Sequence, residues 1–171
     1  ILLGIGAIAG ERERGTAAMI LSKPASRWAF VTAKFAAQAL VYLVAFLLAG
    51  LAAWFYTGLL FEPGLAFGPF LLGNLLLWVW LLGYAAVVLL GSAIGRTTLI
   101  AAGLGLLGCV ILLIGGAFPQ AAALLPSGLL SPISQLGVPD PMPTNGWGAL
   151  AGSAVVIIFC LVTAVGVVER Q

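Results

Sequence analysis

Ionised side chains occupy only a few positions of this 171-residue chain, and the gaps between them decide what it can fold into. Nothing is charged between Lys34 and Glu62, between Glu62 and Arg96, between Arg96 and Asp140, or between Asp140 and Glu169. Each gap exceeds the roughly 20 apolar residues that cross a hydrocarbon core of about 30 Å. A backbone in lipid must satisfy its own hydrogen bonds, and runs this long without period-2 alternation favour helices over barrel strands. Composition agrees: 63% of residues are hydrophobic and 7% charged, where a soluble domain has about a quarter charged. The sequence therefore predicts an all-α, polytopic membrane helix bundle. Its four full spans fall near residues 29–54, 70–94, 99–118 and 147–168.

Residues 1–9 are also apolar, but nine helical residues reach only about 14 Å. They run straight into Glu11-Arg12-Glu13-Arg14, without the basic start and small-residue cleavage site of a signal peptide. They are expected to be the last part of a longer membrane helix, which makes the chain a fragment. Orientation follows from the basic residues. With four spans after the first loop, Arg12, Arg14, Lys23, Arg27, Lys34, Arg96 and Arg170 all fall on one side, and the connections around Glu62 and Asp140 contain none. By the positive-inside rule the basic side, with the C-terminus, is expected to be cytoplasmic.

The connections differ. Those around Glu62-Pro63-Gly64 and Gly95-Arg96-Thr97 are short. Residues 119–146 hold six of the nine prolines, Pro119, Pro126, Pro132, Pro139, Pro141 and Pro143, a density that breaks helices into short pieces. The segment reads equally well as a short interfacial or re-entrant helix and as an ordered outer loop.

The one polar constellation is the loop at residues 10–28. Gly15-Thr16 can interrupt the incoming helix, and Thr16 can cap a new one by accepting a backbone N–H. A short helix over 17–21 would then present Met19, Ile20 and Leu21 on an apolar face. Lys23-Pro24 ends it, and Pro24 suits the first turn of the following long helix. From the residues alone, this loop is either a docking element or a basic hairpin that fixes topology.

Glu11-Arg12-Glu13-x-Gly15-Thr16, a short apolar run and then Ser22-x-Pro24-x-Ser26-Arg27 before a long helix resemble the permease subunits of ABC transporters of the type-2 exporter family. The resemblance covers most of the chain, including a six-span pattern without its first span and most of its second. It implies that residues 10–28 are a coupling loop whose short helix docks on a separate cytoplasmic ATPase subunit. By position, Glu11, Arg12, Glu13, Gly15 and Thr16 match the upstream motif, while Ser22, Pro24, Ser26 and Arg27 match the downstream one. Family members often carry a charge shortly after the Thr, where this chain has Ala17-Ala18, so its docking surface is expected to be more apolar. The resemblance also implies a second permease subunit, homo- or heterodimeric, and ATP and Mg bound by the partner ATPase.

Lys34 is the only charge plausibly inside a span. With Gln38 and Tyr42 it forms an i, i+4, i+8 stripe on one helix face, which could line a substrate path. The plainer reading is a Lys that snorkels its ammonium to the headgroups. Asn74 is expected to bridge helices. Gly91, Gly95, Gly103, Gly105 and Gly108 are expected to allow close helix packing. Cys109 and Cys160 lie in apolar runs and read as small buried hydrophobes.

These features separate the function classes. With no His and no carboxylate within a span, a membrane enzyme lacks a convergent acid, base or nucleophile. A proton- or sodium-coupled transporter keeps ionisable groups near the midplane, and such a group could here lie only in a missing N-terminal part. A net charge of +2 gives no reason to expect nucleic acid as a partner. No Gly-x-x-x-x-Gly-Lys-Ser/Thr loop is present to bind nucleotide, so the chain is expected to have no cofactor of its own and not to be an enzyme. An ATP-driven permease subunit fits best. The competing readings are a non-transporting assembly or structural membrane protein and a secondary transporter.

Overall fold

The computed structural model describes residues 2–13, 27–61, 66–135 and 146–169. Among these residues there is no strand. The elements are α1 (Leu2–Ile5), α2 (Ala9–Glu13), α3 (Arg27–Leu60), α4 (Phe67–Ile94), α5 (Thr98–Gly116), α6 (Pro119–Ala122), a 3-10 turn (Pro126–Leu129), α7 (Leu130–Gln135) and α8 (Gly146–Glu169). Helices α3, α4, α5 and α8 are long and apolar enough to cross a membrane. They coincide with the four expected spans, so the all-α polytopic bundle holds. Helix α3 runs past the expected end at Trp54 to Leu60, and its 34 residues rise about 50 Å at 1.5 Å each.

Helix α4 is the centre of the bundle. Half of its most apolar window is buried, against 11% for α3, 17% for α5 and 28% for α8. The reason lies in its second half, where Gly83, Ala85, Ala86, Gly91, Ser92 and Ala93 are small and buried, so neighbouring backbones can approach. A Cβ on Gly91 would lie 2.6 Å from the Gly105 nitrogen, and one on Gly95 would lie 2.6 Å from that of Ala101. Gly108 packs against Val87, whereas Gly103 faces open space. The close-packing role expected of the glycines therefore applies to four of the five.

The reversal between α4 and α5 is tight. The Gly95 N–H closes α4 on the Gly91 carbonyl at 2.9 Å. Thr97 is extended, and its Oγ1 accepts the Ile100 N–H at 3.3 Å, an N-cap.

Residues 119–135 wrap into the bundle. Pro119 and Pro126 each start a short helix, where a missing N–H is no loss. Pro126 and Leu129 are buried, and Pro126 sits against Gly83. Gly83 is eleven residues from the Ile94 end of α4, about 16 Å of rise. Ser127 sits against Gly116 at the far end of α5. This packing sets the segment against α4 and α5. Residues 136–145 lie outside the described residues.

The first segment differs from the expected continuous helix end. A turn over residues 6–8 separates α1 from α2. The Ser92 hydroxyl of α4 accepts the Ile8 and Ala9 N–H groups, both at 3.1 Å, and donates to the Ile5 carbonyl at 2.8 Å. One hydroxyl thus uses its donor and both lone pairs to satisfy backbone groups that a continuous helix would have paired internally.

Candidate functional site

The described residues that flank positions 14–26 lie at one end of the bundle, and each flank is tied to spans other than its own. The upstream end is α2. Its Ile8 flank is buried with Val31 of α3, Leu89 and Ala93 of α4, and Ala164, Val165 and Val168 of α8. Buried apolar contacts on three sides hold the segment at a fixed depth, and Ser92 fixes its backbone from α4.

Two carboxylates extend from α2. Glu11 forms an ion pair with Lys34 of α3, and both side chains are partly exposed. The Lys34 ammonium also lies 5.7 Å from the centre of the Phe30 ring, within cation–π range. Glu13 accepts the Thr98 backbone N–H at 2.9 Å on one oxygen and the Thr98 hydroxyl at 2.7 Å on the other. A carboxylate on the first turn of a 19-residue helix is stabilised by the positive end of the helix dipole and by a charge-assisted hydrogen bond.

The downstream end is Arg27, the first residue of α3. Its Nη1 donates to the Val168 carbonyl at 2.8 Å and the Glu169 carbonyl at 2.5 Å. These are carbonyls of the last turn of α8, which lack helical partners and carry the negative end of its dipole. A guanidinium there meets both needs.

The stripe Lys34, Gln38, Tyr42 does face the protein. Lys34 does not merely snorkel, because it has Glu11. Gln38 is buried, its amide has no hydrogen-bond partner among the described residues, and its Nε2 lies where a side chain on Gly4 would begin. Tyr42 is half-buried on the same face. The first two members of the stripe are thus covered by α2 and α1 of the same chain. Asn74 donates to the Phe70 carbonyl of its own helix at 3.0 Å and packs against Gly50 of α3. The bridging expected of Asn74 is made instead by Trp78, whose indole N–H donates to the Ala39 carbonyl at 3.0 Å.

Of the expected coupling residues, the structure places Glu11, Glu13 and Arg27 together around the loop ends. The side chain of Arg12 is not described, and Gly15, Thr16, Met19, Ile20, Leu21, Ser22, Pro24 and Ser26 lie outside the described residues. Ser92 and Thr98 belong to this junction and were not singled out in the sequence. Their partners are more than 80 residues away, and no local pattern marks a serine or threonine that receives a distant segment.

A family model described as ABC-2 family transporter protein matches residues 1–135. Among curated proteins, the chain is similar to the uncharacterized transmembrane protein YxlG of Bacillus subtilis (strain 168). The two are 30% identical over 125 residues, which is 72% of this chain and 48% of that relative. The chain thus spans about half the length of the curated relative it matches. No solved structure matches it.

Proposed function

Since the chain belongs to the ABC-2 family of transporter proteins, we propose that it is the membrane-spanning permease subunit of an ATP-driven transporter. In this reading a separate cytoplasmic ATPase binds ATP and Mg, hydrolyses ATP, and docks on the 14–26 loop. A second permease subunit, identical or related, completes the pathway. The basic end of the bundle, with Arg27, Arg96 and the C-terminus, faces the cytoplasm by the positive-inside rule. The observation that supports the reading most is the junction itself. The ends of one short loop contact α3, α4, α5 and α8 together. Movement of a docked partner can then reach all four described spans without a charged group at membrane depth. A rigid-body change between packed states is the expected consequence.

The test is co-purification of the ATPase with the full-length permease. Ile20→Asp places an unpaired charge on the apolar face expected over residues 17–21, and burying it in a contact costs several kcal/mol. Membrane insertion should survive while the ATPase is lost. Unchanged co-purification with unchanged transport would return the loop to a role in topology alone.

A further inference from the structure

The upstream motif of the loop contains two carboxylates, and both are turned toward the chain's own spans. Glu11 pairs with Lys34 on α3, and Glu13 holds the first N–H and the hydroxyl of Thr98 on α5. A carboxylate engaged in this way is not a free docking charge. We infer that Glu11 and Glu13 are positioning residues that hand movement of the 14–26 loop to α3 and α5, and that they do not form the surface that holds the ATPase. The inference rests on the permease reading above and assigns a division of labour within it: residues 14–26 bind, and the α2 carboxylates transmit.

Three features support transmission over simple stapling. The contacts are charge-assisted, so they resist stretching more than neutral hydrogen bonds do. They lie toward the starts of both helices, at the first residue of α5 and about two turns into α3, where a small displacement tilts a whole helix. They also diverge from one five-residue helix whose backbone Ser92 holds to the central α4. Pivoting α2 about the Ser92 anchor therefore moves α3 and α5 relative to α4. Such a contiguous network is the physical route by which coupling travels between distant sites.

The experiment uses the full-length permease with its ATPase in lipid nanodiscs, with Cys109 and Cys160 replaced by Ala. Spin labels are placed at Leu40 on α3 and Leu106 on α5, both on exposed faces. Their separation is measured without nucleotide and after trapping with ATP and vanadate. The parent complex should change its α3–α5 distance on trapping. Glu11→Lys and Glu13→Ala should each lose most of that change while the ATPase still co-purifies and still hydrolyses ATP. Thr98→Val, which keeps the N–H and removes only the hydroxyl, should lose part of it. The swap Glu11→Lys with Lys34→Glu should restore the change, which a purely structural lesion would not do. Loss of the ATPase from the single variants, an undiminished distance change, or failure of the swap would each overturn the inference. A parent complex that neither holds the ATPase nor responds to ATP would refute the permease reading instead.

Discussion

Removing the Ser92 hydroxyl tests whether the junction is held together as described. Ser92 is fully buried, as is Ala9, and Ile8 is 3% exposed. In Ser92→Ala the two N–H groups of Ile8 and Ala9 and the Ile5 carbonyl lose their partner together. A buried unsatisfied group costs about 1–3 kcal/mol in soluble proteins, while hydrogen bonds between membrane helices average about 0.6 kcal/mol. The lower figure reflects alternative partners in the unfolded helix. Here the groups sit at a helix break, where the folded chain offers no alternative, so about 1 kcal/mol each is appropriate. The sum, about 3 kcal/mol, is roughly a hundredfold in the folding equilibrium. Ser153 is the matched control. It is also fully buried, but its hydroxyl donates only to the Ala149 carbonyl of its own helix, at 2.7 Å, and removing it orphans nothing. Ser153→Ala should cost no more than about 0.5 kcal/mol. Denaturation of the full-length permease in mixed micelles gives the two values, and hydrogen exchange at Ile8 and Ala9 should accelerate in Ser92→Ala alone. Equal destabilisation by the two substitutions would refute the argument.

Two further outcomes are expected. Gly91→Ala should separate α4 from α5 and destabilise the bundle by about 1–3 kcal/mol, because its Cβ would meet the Gly105 backbone. Gly103→Ala, facing open space, should be neutral or stabilising by up to about 1 kcal/mol through helix propensity; the same denaturation assay compares them. Single cysteines at Ser22 or Arg96, in a background without Cys109 and Cys160, should be shielded from an impermeant thiol reagent added outside, and one at Asp140 should react. The reverse labelling would invert the proposed orientation.

The spans were legible because lipid imposes one simple demand, an uncharged helical run of sufficient length, and the charges mark where each run stops. Thr97 and Gly95 could be placed at a turn for the same local reason. What escaped the sequence is long-range. The break in the first segment exists because Ser92 supplies three hydrogen bonds from 83 to 87 residues away. Lys34 read as a snorkelling side chain because its partner, Glu11, belongs to a motif that suggested a different task. The glycines read as a packing group, yet only the helix register decides that Gly105 meets α4 while Gly103 does not. At the junction, residue types were visible and their pairing was not.

The segment of residues 119–135 bears on the order in which the protein can be assembled. A Cβ on Gly152 would lie 1.9 Å from the Leu124 carbonyl oxygen, and one on Gly148 would lie 3.1 Å from that of Ala123. The segment's irregular backbone therefore rests directly on the backbone of α8. Non-helical chain set among membrane helices is tolerated only where protein encloses it, and one wall of this enclosure is α8, which leaves the ribosome after residues 119–135. Residues 119–135 must accordingly wait, near the surface or incompletely satisfied, until α8 has inserted. Helix α8 is thus a wall that closes over this segment during biogenesis as well as a crossing of the bilayer.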